Sequence, residues 1–342
     1  FGACFVLKTN KLYFSKFTII FVTFYTVYIL YCLLCSSFGT SHIRGGYIKL
    51  LMIPLLLSGI GDYISDRISS KIIQRLCICY VCVSVIYALW VNAIYFSSYS
   101  EWLKRMTYGF RQNNSAAQIW CAAILITFFV IKCRGKWKIV LCVFSGIYLF
   151  MITAISQCRT ALLALFIVLL GYILLFSKKK AGCLMALCVI GIIAYNIPLT
   201  KEFINQALVL NKYAETDLNT FSSGRLELYS EAWDVFVKSP IIGAGNWYVD
   251  CSYLCVIAEG GIVAFLLIES IWIYRIFLNI KRAIVYKKFL FFITVFYIVE
   301  SIFEGYPPFG PGVSSSMFWL LSSIFSNKRT KNVEEIDKLW PV

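Results

Sequence analysis

The stretch IVLCVFSGIYLFMITAISQCRTALLALFIVLLGYILLFS, residues 139–177, decides the fold. On either side of Ser156-Gln-Cys-Arg-Thr160 it stays apolar for nearly the ~20 residues that carry a helix across a bilayer, with Arg159 as the single charge. Two such runs joined without a polar loop have no place in a soluble domain. Similar windows recur outward in both directions, at about 17–36, 47–63, 74–95, 116–132, 181–199, 252–279, 289–303 and 314–326. With 139–157 and 160–177 they predict an all-α polytopic membrane protein of about ten transmembrane helices. The 47–63 window, broken by Pro54, Gly59 and Gly61, is the weakest and could be re-entrant.

Composition agrees. Of 342 residues, 60% are hydrophobic and 14% charged, and mean hydropathy is +0.77, against roughly 45–50% apolar and about 25% charged in a soluble domain. The net charge of +15 would suggest nucleic acid in a soluble protein, but most of it is explained by sidedness. Lys8, Lys11 and Lys16; Arg67, Lys71 and Arg75; Lys132, Arg134, Lys136 and Lys138; Lys178, Lys179 and Lys180; Arg275, Lys281, Arg282, Lys287 and Lys288; and Lys328, Arg329, Lys331 and Lys338 fall on alternate connections. The positive-inside rule makes those cytoplasmic, together with both termini. No nucleic-acid partner is expected. The chain opens on Phe1, which leaves room for a preceding segment. The run at 17–36 lacks a small-residue cleavage site and is read as an anchor.

The expected organisation is N-terminal transmembrane helices over 1–199, an external loop over 200–251, C-terminal transmembrane helices over 252–326 and a cytoplasmic tail over 327–342. The 14 cysteines sit mostly inside apolar runs, where a thiol acts as a small hydrophobe. Cys79-Tyr-Val-Cys82 lacks the third and fourth ligands of a metal site. His42, the single histidine, has no motif around it on which to build a triad. No nucleotide-binding loop is present, so neither a metal nor another cofactor is expected.

The external basic residues are the ones that orientation leaves unexplained. Arg159 is either a snorkelling guanidinium reaching headgroup phosphates or an anion ligand facing the bundle interior. In the long loop, Leu226, Tyr229, Trp233 and Phe236 fall at helical spacing, with Ser222 or Ser223 as expected N-cap and Pro240 as the stop. Arg225 opens that amphipathic helix, where a cation opposes the helix dipole. It is either solvent-exposed or placed for a phosphate that the helix start would share. Ser239-Pro-Ile-Ile-Gly-Ala-Gly245 follows, more a bend than a phosphate cradle, and then Trp247, Tyr248, Asp250, Tyr253 and Glu259-Gly-Gly261. The aromatics either stack on sugar rings or belong to an interfacial belt. Glu259, a turn or two into a span, needs a partner such as an arginine.

This order of parts resembles the O-antigen ligase and polymerase superfamily of bacterial membrane glycosyltransferases over roughly 105–325. The matching pieces are Tyr108-Gly-Phe-Arg-Gln-Asn-Asn114, Ser156-Gln-Cys-Arg-Thr-Ala161, Ser223-Gly-Arg225 with Trp233, Ser239-Pro240 with Gly243 and Gly245, Tyr253-Leu254, and Glu259 with Gly261. The resemblance implies that Arg159 and Arg225 grip the diphosphate of an undecaprenyl-linked glycan. Asp250 then stands as general base, and Arg111, Lys238, Tyr248, Tyr253 and Glu259 as substrate-binding residues. Ligase members carry a His in a His-Asn-x-Tyr-Leu pattern where this chain has Asp250-Cys-Ser-Tyr-Leu254, so the resemblance leans toward a polymerase. It implies metal-independent inverting transfer on the periplasmic face of the inner membrane, with the lipid bilayer, the lipid-linked glycan and a chain-length regulator protein as partners. A ligase and a lipid-linked oligosaccharide flippase are the alternatives. A flippase should show internal repeats and midplane charges.

Overall fold

The computed structural model describes residues 15–37, 45–65, 67–95, 113–131, 136–207, 224–245, 247–282, 286–310 and 312–327. Among them every regular element is a helix: α1 (Lys16–Ser37), α2 (Gly45–Ser65), α3 (Ser70–Tyr95), α4 (Asn113–Phe129), α5 (Lys136–Ile155), α6 (Arg159–Phe176), α7 (Lys180–Asn196), α8 (Pro198–Ala207), α9 (Arg225–Lys238), α10 (Ser252–Phe277), α11 (Lys287–Phe303) and α12 (Val313–Asn327). Each of the ten expected crossings falls on one of these helices. Six helical segments are long and apolar enough to span a bilayer, and three shorter ones are also apolar. The weak 47–63 window lies inside α2, one of those six, with Pro54 within it. Helix α8 falls at the start of the stretch expected to form the external loop.

The chain divides into two compact units, residues 74–223 and residues 1–73 with 224–342. In the 74–223 unit, α4 is the buried centre. Ala116, Ala117, Ala122 and Ala123 on it are at most 1% exposed, and side chains this small let neighbouring helices approach where lipid supplies no hydrophobic drive. Trp120 stacks on Tyr87 of α3 at 5.6 Å, and Gly146 of α5 lies against the Phe128 ring of α4. The outward faces carry Leu141, Phe144, Met185 and Ile190, all more than 60% exposed. Apolar surface of that extent is the face a bundle presents to lipid. Cys79 and Cys82 are exposed free thiols on α3.

The other unit is organised by α10, and there the single expected span over 252–279 takes a different form. Gly261 interrupts the helix with φ 68° and ψ −170°, and the chain reverses. The indole Nε1 of Trp272 donates to the Tyr253 hydroxyl at 3.4 Å, although a straight helix would hold the two residues about 28 Å apart. A first arm over 252–260 therefore folds back on a second arm over 262–277.

A reversal inside a helix frees carbonyls at the end of one arm and N–H groups at the start of the next. In an apolar surrounding each would cost a few kcal/mol unsatisfied. The Ser239–Gly245 turn supplies the partners: the Ala244 N–H donates to the Ala258 carbonyl and the Gly245 N–H to the Glu259 carbonyl, both at 2.9 Å, while the Pro240 carbonyl accepts from the Ile262 N–H at 2.9 Å. The Tyr31 hydroxyl of α1 donates to the Gly260 carbonyl at 2.8 Å. The Gly-x-Gly turn is thus a clamp on the hairpin tip. Gly243, at φ 67°, lies so close to the tip that a Cβ would stand 2.5 Å from the Glu259 carbonyl oxygen.

The second arm runs antiparallel to α1, with Phe17 stacked on Tyr274 at the far end, 5.7 Å between centroids. There Arg275, which sidedness alone assigns to a cytoplasmic connection, is wholly buried. It donates to Ser323 Oγ at 2.8 Å and Ser326 Oγ at 3.2 Å, and its guanidinium lies 3.6 Å from the Phe17 ring centroid. Hydroxyls and an aromatic face are what allow an arginine to stay inside a membrane bundle. Nearby, Asp62 of α2 accepts from the Ser15 N–H at 3.1 Å and from the hydroxyls of Ser15 and Thr18, fixing the start of α1.

Candidate functional site

Helix α9 begins at Arg225 as read from the sequence, and Ser239 after Lys238 closes it. Its N-cap is Gly224, in the left-handed region at φ 77° and without a side-chain cap. Ser222 and Ser223, the expected caps, lie outside the described residues. The dipole conflict at Arg225 is resolved by two carboxylates. Nη2 of Arg225 donates to Glu304 Oε1 at 3.3 Å, and Nε stands 3.9 Å from Asp250 Oδ2. The first is a charge-assisted hydrogen bond; the second is too long for one. Nη1 makes no hydrogen bond among the described residues. The Glu304 side chain is 6% exposed and that of Asp250 33%, so Glu304 anchors the guanidinium from within while Asp250 faces the opening.

Two tyrosines frame the carboxylates. The Tyr248 hydroxyl donates to Asp250 Oδ1 at 2.9 Å. The Tyr229 hydroxyl, one turn along α9 from Arg225, lies 2.8 Å from the Asp250 carbonyl and 2.9 Å from the Ile302 carbonyl. It ties α9 both to the foot of the first arm and to the end of α11. The site therefore sits about 13 Å along the arm from the Gly261 tip, at a helical rise of about 1.5 Å per residue.

Burial, reinforced by the neighbouring Asp250 charge, raises the Tyr248 hydroxyl. Burial also pushes Tyr229 up to about 12. Both remain donors at neutral pH. A folded value above the unfolded 10 stabilises the protein fully below pH 10, and that contribution is lost as pH rises toward 12. Thermal melts in detergent should consequently fall between these limits. Tyr229→Phe should remove part of that fall and cost about 1–2 kcal/mol at neutral pH for the lost hydroxyl contacts. A Tyr229→Phe melt matching wild type at both pH values would show that the hydroxyl ties nothing down.

The remaining expected residues are dispersed. Arg159 is the first residue of α6, after a three-residue turn in which Gln157 has φ 56°, and Cys158 Sγ contacts Asn114 Oδ1 at 3.2 Å. It is half-buried and belongs to the 74–223 unit, whereas Arg225 and Asp250 belong to the other. Lys238 is exposed in the last turn of α9, thirteen residues and about 20 Å along the helix from Arg225. The Tyr253 hydroxyl is turned to Trp272. Glu259, 9% exposed, sits at the hairpin tip, an arm's length from Asp250. Arg111 and His42 lie outside the described residues.

Glu304 is the residue that sequence reasoning passed over. The signal for it was an acidic group in Glu304-Gly-Tyr-Pro-Pro308, in the short connection between the apolar windows 289–303 and 314–326.

These features define a multi-pass helical membrane protein with an arginine–carboxylate cluster at the foot of a helical hairpin. Residues 144–254 match the family model described as O-antigen ligase, consistent with the O-antigen ligase and polymerase superfamily, whose members are glycosyltransferase-like enzymes. The match takes in Arg159, Arg225 and Asp250 and ends before Glu304. No curated protein matches the chain.

Proposed function

We propose that the protein polymerises undecaprenyl diphosphate-linked oligosaccharide repeat units into a surface polysaccharide by inverting transfer outside the cytoplasmic membrane. The observation that carries this reading is Arg225 held between Asp250 and Glu304, with Asp250 oriented by Tyr248. Glu304 holds one N–H of Nη2 and Asp250 lies beside Nε, leaving the edge formed by Nη1 and the second N–H of Nη2 to take a phosphate side by side. The Asp250 carboxylate accepts the proton of an acceptor-sugar hydroxyl as that oxygen bonds to the anomeric carbon. The bond from that carbon to the diphosphate breaks, and undecaprenyl diphosphate leaves with its charge met by the arginine. Arg159 is a second phosphate ligand on the resemblance, and its own substitution tests that role.

A ligase is the competing reading, favoured by the description of the matched family. An acidic residue in place of the ligase histidine supports a polymerase. Purified protein incubated with the lipid-linked repeat separates these: lengthening glycan ladders support a polymerase, glycan moved onto lipid A-core a ligase, and a change of leaflet without transfer a flippase. With ladders established, Asp250→Asn should lower turnover by about 10²–10⁴-fold, the usual worth of a positioned base. Unchanged turnover would remove Asp250 from the mechanism. Ladders surviving both Arg159→Ala and Arg225→Ala would sink the diphosphate grip.

A further inference from the structure

We infer that Tyr248 and Tyr306 form the platform on which the acceptor sugar ring stacks. This rests on the transfer reading and names the subsite that presents the attacking hydroxyl. The two rings lie 5.1 Å apart, tilted by 45°. Tyr248 is 42% exposed and Tyr306 41%, although each stands beside a buried stretch. Val249 next to one and Pro307 to Phe309 next to the other are buried. The Tyr248 ring rests against the backbone at Gly305, so close that a Cβ there would meet ring carbon Cε2 at 2.6 Å. Gly305 and Tyr306 follow directly on Glu304. The platform is therefore built from the same two chain segments that supply the carboxylates, 248–250 and 304–306.

The chemistry points to a carbohydrate. A pyranose offers an apolar face of C–H groups and a rim of hydroxyls, and a partly open aromatic pair beside carboxylates answers both. The position selects the acceptor over the donor. Tyr248 donates its hydroxyl to Asp250 Oδ1, so a ring stacked on Tyr248 lies one hydroxyl away from the group that must receive its proton. Arg225 approaches Asp250 from the Oδ2 side, which leaves the diphosphate end of the donor on that side. A membrane-interface belt would also place tyrosines at exposed positions, but it would not need their rings paired or bonded to the base.

The test uses full-length protein in detergent and, as probe, the oligosaccharide released by mild acid from the producing cells' own lipid-linked pool. Saturation-transfer NMR should show transfer from protein to sugar ring protons. Tyr306→Leu and Tyr248→Leu should weaken binding at least about tenfold, equivalent to about 1.4 kcal/mol. Tyr306→Phe, which keeps the ring, should stay within about twofold of wild type and serves as the control for folding. In the turnover assay Tyr306→Leu should raise the acceptor KM with little change in kcat, as for a contact made equally before and in the transition state. Sugar binding by the Leu variants equal to wild type overturns the platform, as does the absence of any transfer signal in wild-type protein. Sugar binding that depends on the rings without ladder formation would keep the platform and overturn the polymerase. Ladders unaffected by Tyr306→Leu would do the reverse.

Discussion

Arg225→Ala is expected to eliminate glycan lengthening, with turnover lower by about 10²–10³-fold, the usual worth of one preorganised donor aimed at developing charge. The substitution removes the cation and leaves Glu304, 6% exposed and deprived of the 3.3 Å contact with Nη2. Loss of activity by unfolding has to be separated from loss of phosphate contact. Arg225→Lys does this. It restores a positive charge beside both carboxylates but replaces a planar fork with a point charge, so it should fold as wild type and still fall short by about tenfold or more. Glu304→Gln makes the complementary measurement. It keeps the shape of the anchor and weakens its hold, so turnover should drop less than for Arg225→Ala. In the double variant the two losses should fail to add, since Glu304 acts through the arginine. Additive losses would mean that Glu304 serves the reaction on its own account. An Arg225→Lys enzyme as fast as wild type would mean that no bidentate grip exists.

The all-helical, membrane-spanning character was legible in the sequence because a hydrophobic run of bilayer length has hardly any place except across lipid, and α5, Cys158 and α6 follow the reading of 139–177 almost residue for residue. Helix α9 was legible as a helix from the spacing of Leu226, Tyr229, Trp233 and Phe236, but not its buried face: Leu226 and Trp233 are exposed, and Ala232 is buried. What hydropathy could not show was direction. Residues 252–279 are apolar throughout, and an apolar window reads the same whether the helix goes straight or doubles back. Only the backbone at Gly261 distinguishes the two, and the paired glycines at 260 and 261 were the sole trace of it. Arg275 escaped for a related reason: a basic residue near a helix end counts as a loop charge until its serine and aromatic neighbours are known. Arg225 and Asp250 were found one by one, but their meeting with Glu304 joins positions 225, 250 and 304, and a single sequence carries no record of contacts between distant positions.

Gly261→Ala carries the largest expected structural effect. At φ 68° and ψ −170° the residue occupies a region of backbone space that is essentially closed to side chains, and the added Cβ would strike the carbonyl of Ile241. The chain cannot relieve the clash by straightening. Doing so would leave the Ala244 and Gly245 N–H groups, the Pro240 carbonyl and the Tyr31 hydroxyl without the partners they have at the hairpin tip, at about 1–3 kcal/mol for each group left unmade. It would also carry Asp250, at the foot of the first arm, away from Arg225. The variant should therefore lose its monodisperse elution peak or melt at least about 10 °C lower, on a scale of ~2–4 °C per kcal/mol for domains of 150–250 residues. Any protein that survives should be inactive. Gly182→Ala and Gly191→Ala are the controls: both glycines lie inside α7 with nothing within 4 Å of an added Cβ, and alanine in a helix interior is favourable there by ~0.5–1 kcal/mol. If Gly261→Ala melted with these two, α10 would have to tolerate a different turn at its tip, and the hairpin could not be what brings the base to the arginine.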